Sequence, residues 1–348
     1  MERYDAALAI QPIWQGRQMY RESFLWMKGE GETRIPLLYH ARKVLEVRTA
    51  NLQTLFTEGK DYRLENGALV IPADSAMPHL TLEEYYPREF VEGSAFYRVG
   101  GGNLIFHEGS FFHQHQCVVT YTHEDAWEGP VPQQQDLPRF REKLEKGGHG
   151  KVLVYGDSIS TGANSSAFVC AEPFADRWDE MVADGLRARY PQGTVELINT
   201  AVGGTESSWG VEMVADRAAR YCPDLAILAF GMNDGSQNRS PETYRENMQK
   251  IIAGIRAKNP ACEFILVATM LPNKEAAHRG GPFTGQQEDY LPVLRGLLEP
   301  GVILADMTSM HKFILSRKSY RDSTGNNINH PNDFLSRIYA QVVLGSMK

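Results

Sequence analysis

Cysteine is scarce in this sequence, which has four cysteines among 348 residues and no C-x-x-C pair. Their scatter argues against a zinc site or a disulfide framework and is typical of a protein kept in a reducing compartment. No stretch approaches the roughly 20 apolar residues that a membrane span requires. The first residues lack a basic segment followed by an apolar one, so we expect no signal peptide and a cytoplasmic location.

Runs of positive charge are also absent, and the formal net charge is −7. The sequence therefore lacks the electrostatic footprint of a protein that binds nucleic acid. With 42% hydrophobic and 23% charged residues, it has the composition of an ordinary globular protein. Its length is large for one hydrophobic core and favours two domains.

The two halves of the chain differ in pattern. Residues 1–128 contain short apolar runs separated by turn signals, which predicts a smaller all-β domain of the sandwich or jelly-roll type. Residues 129–148 comprise a linker rich in proline and glutamine and a short charged helix. Residues 149–348 alternate compact apolar runs with amphipathic segments, which indicates a parallel sheet covered by helices on both faces.

The alternation in the second half predicts five strands and five main helices. The predicted strands are 152–155, 195–198, 225–230, 264–268 and 302–304. The predicted helices are 173–190, 211–221, 241–258, 289–298 and 333–344. In the first half, the clearest predicted strands are 44–47, 68–71, 96–99 and 117–121.

Histidines alternate along one segment of the first half. On a strand, His113, His115, Cys117 and His123 would share one face and attract a transition metal. No carboxylate pattern completes such a site, so we expect a solvated strand face and no bound metal.

The strongest chemical signal is an apolar strand that leads directly into Gly156-Asp157-Ser158. Residues 199–205 and 230–234 likewise follow predicted strands, and Asn329-His330-Pro331-Asn332 lies near the end of the chain. Because the carboxyl ends of parallel strands meet at one edge of a sheet, we expect the first three segments to converge there.

These four segments, in this order, resemble the four conserved blocks of SGNH (GDSL-like) hydrolases, over about residues 151–344. The resemblance implies a three-layer α/β/α fold with a five-stranded parallel sheet of the flavodoxin type. A strand-rich domain ahead of such a fold also resembles two-domain carbohydrate acetyl esterases. The implied chemistry needs no cofactor.

The resemblance assigns a role to each block. Ser158 is the expected nucleophile, and His330 is the expected base that takes its proton. The expected oxyanion hole consists of the backbone N–H groups of Ser158 and Gly204 and the side-chain amide of Asn233. Gly204 suits this role because a side chain there would block the close approach of the backbone to substrate, and Gly203 is the alternative.

The sequence departs from the family at the residue that orients the histidine. The usual ending is Asp-x-x-His, but Asn327 stands three residues before His330. One interpretation is that the carbonyl oxygen of Asn327, or a backbone carbonyl, accepts from Nδ1–H of His330. A second is that a carboxylate from elsewhere does so, and a third is that activity is weakened or lost. The candidate carboxylates are Asp306, Asp322 and Asp333.

The predicted substrate-binding residues are Asp157, beside the nucleophile, and Trp209, whose alternative role is packing against the following helix. The long segment 270–288 is a candidate lid, because long connections in compact domains are usually functional. We expect hydrolysis of short O-acyl esters, above all acetyl esters of small molecules or oligosaccharides. The alternatives are a lipid or thioester hydrolase and a non-catalytic carbohydrate-binding protein. No nucleic acid or membrane partner is expected, and the oligomeric state stays open.

Overall fold

The first half of the chain consists mainly of short strands. A computed structural model describes residues 4–278 and 281–348 of the protein. The strands of the first half are β1 (Gln18–Phe24), β2 (Trp26–Lys28), β3 (Thr33–Ile35), β4 (Ala41–Thr49), β5 (Arg63–Glu65), β6 (Ala68–Ile71), β7 (His79–Thr81), β8 (Ala95–Arg98), β9 (Asn103–Ile105) and β10 (Cys117–His123). The helices are α1 (Ala6–Ile10), α2 (Leu82–Tyr85), α3 (Phe111–His115) and α4 (Pro138–Glu145).

The second half begins with β11 and alternates strands with helices. Its strands are β11 (His149–Gly156), β12 (Thr194–Asn199), β13 (Leu225–Ala229), β14 (Glu263–Ala268), β15 (Ala276–His278), β16 (Gly281–Pro282) and β17 (Val302–Asp306). Its α-helices are α5 (Trp178–Arg189), α6 (Ser207–Glu212), α7 (Val214–Arg217), α8 (Met232–Ser236), α9 (Pro241–Arg256), α10 (Tyr290–Arg295), α11 (Met307–Arg317) and α12 (Asp333–Gly345). Short 3₁₀ helices cover Ala219–Tyr221 and Tyr320–Asp322.

Five strands of the second half form one parallel sheet in the order β12-β11-β13-β14-β17. Numbered along the chain, this order is 2-1-3-4-5, the flavodoxin-like arrangement, in which ligands bind where the strand order reverses. The strand at that reversal is β11, which leads to Ser158. The predicted five-stranded α/β sheet is therefore confirmed.

Alternate residues of β11 enter two separate apolar layers. Val152 and Val154 pack with residues of α5, α11 and α12, whereas Leu153 and Tyr155 pack with residues of α9 and α10. A strand that is buried on both faces must be apolar at every position, which explains the unbroken run in the sequence. The helices on the two faces complete a three-layer α/β/α arrangement.

Antiparallel sheets dominate the first half, as predicted. Strand β10 pairs with β1 and β4, and β6 pairs with β3 and β5. The two-stranded pair β2-β7 is parallel. A further sheet has the order β16-β15-β8-β9, so two of its strands come from the second half of the chain. The all-β part is thus joined to the α/β part by strand pairing.

The two halves also share one apolar core, which includes Phe24 and Val47 from the first half and Trp178 and Leu335 from the second. A fully buried ion pair crosses the same boundary, with Nζ of Lys318 2.6 Å from Oε1 of Glu22. The Glu22 carboxylate also accepts from the Tyr121 hydroxyl at 2.6 Å. These partners compensate a charge that would otherwise be costly to bury.

Three predicted elements differ from the structure. The helix predicted at 173–190 begins only at Trp178, where Glu180 and Arg177 form a capping arrangement. The helix predicted at 211–221 is divided into α6, α7 and a 3₁₀ turn. His113 and His115 lie on α3 and not on a strand, so the predicted alternation with Cys117 and His123 on one face is wrong.

The candidate lid, 270–288, is attached to the first half where the structure describes it. Ala276 and Ala277 pair with Arg98 and Tyr97 of β8. Arg279 and Gly280, which belong to the predicted lid, lie outside the described residues. In residues 4–278 and 281–348, no helix combines the length and the apolar character that crossing a membrane requires.

Candidate active site

The turn after β11 presents Ser158 at the carboxyl edge of the parallel sheet. Backbone hydrogen bonds close this turn, from the N–H of Ser160 to the carbonyl of Asp157 and from the N–H of Ala163 to that of Ser158, both 3.1 Å. Ser158 is 9% exposed, so its hydroxyl is sheltered from bulk water and still accessible. The position is the one expected for a nucleophile at the reversal of strand order.

A tight loop before α12 carries His330. The side-chain oxygen of Asn326 accepts the backbone N–H groups of Ile328, Asn329 and His330 at 3.0–3.1 Å. A Cβ at Gly325 would overlap the side chain of Asn164, so glycine lets the loop approach the Ser158 turn. Nε2 of His330 thereby lies 2.9 Å from Oγ of Ser158. The structure brings the predicted nucleophile and base into hydrogen-bonding distance.

Asn164 determines the tautomer of His330. Its amide nitrogen donates to the carbonyl of Gly109 at 3.1 Å, which turns its oxygen toward Nδ1 of His330 at 2.6 Å. The amide nitrogen of Asn326 also lies 3.0 Å from Nδ1, but its two hydrogens have other acceptors. The oxygen of Asn164 can only accept, so the proton of the neutral ring belongs on Nδ1 and Nε2 is free to accept from Ser158. Asn164 has φ +64°, in the left-handed region that asparagine tolerates.

A carboxylate from the first half also reaches the histidine. Oε2 of Glu108 lies 3.4 Å from Nδ1 of His330, and Oε1 accepts from the amide of Asn326 at 3.2 Å. Partial burial raises the pKa of Glu108, but hydrogen bonds from His330, Asn326 and Asn164 and the charge of His330 outweigh it and lower the pKa overall. Glu108 is therefore ionised at neutral pH.

Asn327 does not orient His330, which corrects the first interpretation of the sequence. Its side-chain oxygen accepts from the hydroxyl of Tyr85 at 2.8 Å, and its nitrogen donates to the carbonyl of Ile105 at 3.0 Å. The residue is fully buried and has φ +71°. Its amide therefore ties the histidine loop to the first half, and Asn164 occupies the position beside Nδ1.

The three carboxylates considered as substitutes are engaged elsewhere. Asp322 accepts the N–H groups of Leu25 and Ser319. Asp333 accepts the N–H of Ser166, and Asp306 caps α11. Each carboxylate satisfies a backbone or helix-end donor, and none of these bonds is to His330.

The segment after β12 lies beside the nucleophile. A Cβ built on Gly203 would be 3.7 Å from Cβ of Ser158. Gly204 is exposed with φ +76°, and a Cβ there would meet no described atom within 4 Å other than its chain neighbours. The left-handed backbone of Gly204 is itself a reason for glycine at this position. The amide of Asn233 donates to the carbonyl of Thr205 at 2.9 Å, which ties the first turn of α8 to this segment.

Comparison with known proteins agrees with this geometry. Residues 154–337, more than half of the chain, match the GDSL-like lipase/acylhydrolase family. The chain belongs to this family. The resemblance inferred from the four sequence segments is therefore confirmed.

Individual relatives of the family are more distant. An arylesterase from Vibrio mimicus is 28% identical over 106 residues, which are 30% of this chain and 48% of the arylesterase. The chain thus spans about half the length of that relative. A two-domain esterase (CEX) active on acetylated mannans has a TM-score of 0.47 at 22% identity, covering 61% of this chain and 53% of its own. Axe2, an acetylxylan esterase from Geobacillus stearothermophilus, has a TM-score of 0.44 at 15% identity, covering 56% and 92%.

Asp157 of the family motif lies below the site and does not face it. It is 1% exposed, and its carboxylate accepts the N–H of Ile159 at 3.0 Å. Burial, with a smaller contribution from the charge of Asp234, raises the pKa of Asp157 to about 7. The predicted substrate-binding role does not fit this position, because the side chain holds the turn that carries Ser158.

The raised pKa of Asp157 predicts a pH-dependent stability. In the unfolded chain the carboxyl ionises near pH 4, so its contribution is complete below that pH and is lost as pH rises through about 7. Asp157→Asn removes this loss. From pH 5 to pH 8, the free energy of unfolding of the variant, measured with urea, should rise by about 2–4 kcal/mol relative to that of wild type. Asp216→Asn, at an exposed position, is the control, and an equal difference at both pH values would contradict the prediction.

Trp209 packs into the core of the second half. It is half buried on α6, and its ring centroid lies 5.8 Å from that of Tyr155. The structure thus favours the packing role over substrate binding. Across the described residues, no group of three or more His, Cys, Asp or Glu side chains is placed to hold a metal ion.

Proposed function

We propose that this protein is a serine-dependent carboxylic ester hydrolase. The observation that carries the proposal is the Ser158–His330 contact of 2.9 Å together with the acceptor that Asn164 places at Nδ1. A histidine protonated on Nδ1 and facing a serine hydroxyl with Nε2 is poised as a general base.

The first half of the reaction forms a tetrahedral intermediate from the ester. Oγ of Ser158 attacks the ester carbonyl while Nε2 of His330 takes the hydroxyl proton. The oxyanion is then stabilised by the backbone N–H groups of Ser158 and Gly204 and by the amide of Asn233. One N–H of that amide is directed to Thr205, and the other is the expected donor to the oxyanion.

The second half of the reaction releases the acid. His330 gives its proton to the leaving alcohol, and the tetrahedral intermediate collapses to acyl-Ser158. Water then attacks the acyl group as His330 again takes a proton. Return of that proton to Ser158 frees the carboxylic acid and restores the resting tautomer that Asn164 stabilises.

The surroundings of the site favour a short acyl group on a polar alcohol such as a sugar. The side chains around His330 are amides and a carboxylate: Asn164, Asn326, Asn329 and Glu108. On the segment of Glu108, the rings of His107, Phe111 and His115 lie in a row with centroids 4.2 and 4.4 Å apart. Polar hydrogen-bonding groups beside aromatic faces suit an amphipathic ring better than a long alkyl chain.

The test is hydrolysis of p-nitrophenyl esters with acyl chains of two to twelve carbons, followed by acetate release from acetylated oligosaccharides. We expect kcat/KM to be highest for acetate and to fall by about tenfold or more at eight carbons, because each methylene must fit the pocket. Rates of the Ser158→Ala variant are subtracted as background.

Two results would favour other functions. Preference for chains of eight carbons or more would indicate a lipid or thioester hydrolase. Sugar binding by calorimetry without hydrolysis of any ester would indicate a carbohydrate-binding protein on the same fold.

A further inference from the structure

Two oxygen acceptors from different parts of the chain approach Nδ1 of His330. Asn164, from the turn after Ser158, is 2.6 Å from Nδ1, and Glu108, from the loop after β9, is 3.4 Å from the same atom. Glu108 is aimed by Asn326, whose own amide is oriented by three backbone N–H groups. The carboxylate therefore has a defined place beside the ring.

The two acceptors differ in charge. When Ser158 transfers its proton to Nε2, the ring of His330 becomes a cation. Asn164 can orient that cation, but an amide oxygen carries no net charge to stabilise it. An ionised carboxylate 3.4 Å from Nδ1 of the same ring does so by Coulomb attraction.

We propose that Glu108 is a positioning residue that stabilises the protonated form of His330 during turnover, so that the β-rich half completes the active site. Asn164 selects the tautomer of the imidazole, and Glu108 supplies the negative charge beside it. This inference rests on the proposed function, since it describes how the same serine and histidine work. Glu108 thereby takes the role of the aspartate in the family's Asp-x-x-His pattern, although it is distant from His330 in sequence.

The connection between the halves supports this assignment. The loop of Glu108 continues into Gly109, whose carbonyl accepts from Asn164 at 3.1 Å, and Asn327 donates to the carbonyl of Ile105 at the end of β9. Strand β9 pairs with β8, which pairs with β15 of the second half. The loop is thus held on both sides of Glu108.

Other titratable groups around the pair must be kept constant in a test. His107 and His115 lie on the segment of Glu108, Asp157 directly precedes Ser158, and Asp333 begins α12. Burial raises the pKa of Asp157 to about 7, so its ionisation falls within the range of an activity profile. Wild type and Glu108→Gln both contain these groups, so a difference between their pH profiles reports on Glu108.

The test compares wild type, Glu108→Gln and the exposed control Glu92→Gln in kcat/KM profiles from pH 5 to pH 9. For a half-exposed pair we expect Glu108→Gln to lower maximal kcat/KM by about fivefold and to move the acid limb about half a pH unit lower. The loss should fall mainly on kcat and shrink in 1 M salt, which screens the charge in wild type. Glu108→Asp should recover part of the rate.

A second measurement does not depend on activity. The ring resonance of His330, identified by its absence in His330→Gln, is titrated by NMR in wild type and Glu108→Gln. A lower midpoint in the variant supports the inference, and equal midpoints overturn it. If wild type hydrolyses esters and Glu108→Gln matches it in rate and profile, the inference fails while the proposed function stands. If Ser158→Ala equals wild type, the proposed function fails instead.

Discussion

Ser158→Ala is expected to lower kcat for acetyl ester hydrolysis by about 10⁵-fold while the fold stays intact. The change removes only the hydroxyl, so the oxyanion donors remain but no nucleophile is left to use them. A residual rate above the uncatalysed reaction is expected from those donors and from substrate binding. Initial rates, with circular dichroism to verify folding, give the result.

Ser160→Ala is the matched control for this variant. Ser160 belongs to the same turn and is fully buried, and its hydroxyl makes no hydrogen bond within the described part of the chain. Its removal should cost little stability and leave kcat close to that of wild type. Wild-type activity in Ser158→Ala as well as in Ser160→Ala would show that hydrolysis does not use Ser158.

The parallel sheet could be predicted because each of its strands is visible in the sequence as a compact apolar run. The run around Val154 is apolar at every position since helices cover both faces of β11, and a polar turn follows where the sheet ends. Placing Ser158 at that edge then follows from the geometry of parallel strands. The order of the strands came from the family resemblance and not from the residues.

The residues that support His330 could not be predicted in the same way. Asn164 has no local signal beyond its place in the turn after Ser158, and Glu108 lies on a strand-rich segment far from His330 in sequence. The Glu108 contact depends on how the two halves pack, and the Asn164 contact depends on how two loops of the second half meet. Neither leaves a periodic pattern in the sequence. The sequence points to Asn327 because it occupies the family's aspartate position, but its amide binds Tyr85 and the end of β9.

Strand pairing between the halves could not be predicted from the sequence for a related reason. Residues 276–278 form a strand of only three residues, too short to show alternation, and they are stabilised by pairing with β8. The sequence alone predicts instead a long connection over the site. The hydrogen bonds that make β15 a strand come from a partner far away in the chain, so they leave no pattern in the segment itself.

Asn164→Gly is expected to lower kcat by about 1,000-fold, because it removes the acceptor that keeps the proton of His330 on Nδ1. Glycine suits the left-handed backbone at φ +64°, so the loss is not a consequence of strain. Without that acceptor the ring can turn or adopt the tautomer whose Nε2 carries the proton and cannot accept from Ser158. Glu108 limits the loss, since its carboxylate still lies 3.4 Å from Nδ1.

Asn327→Gly separates the orienting role from a purely structural one. Asn327 is also an asparagine in the left-handed region, at φ +71°, so the two substitutions are alike in chemistry and backbone. Its loss leaves buried groups of Tyr85 and Ile105 unpaired, which should lower the free energy of unfolding by about 1–3 kcal/mol. The kcat of the folded protein should nevertheless stay close to wild type. A large loss of kcat in Asn327→Gly with little loss in Asn164→Gly would instead return the orienting role to the family's usual position, because only the residue that contacts Nδ1 controls the tautomer.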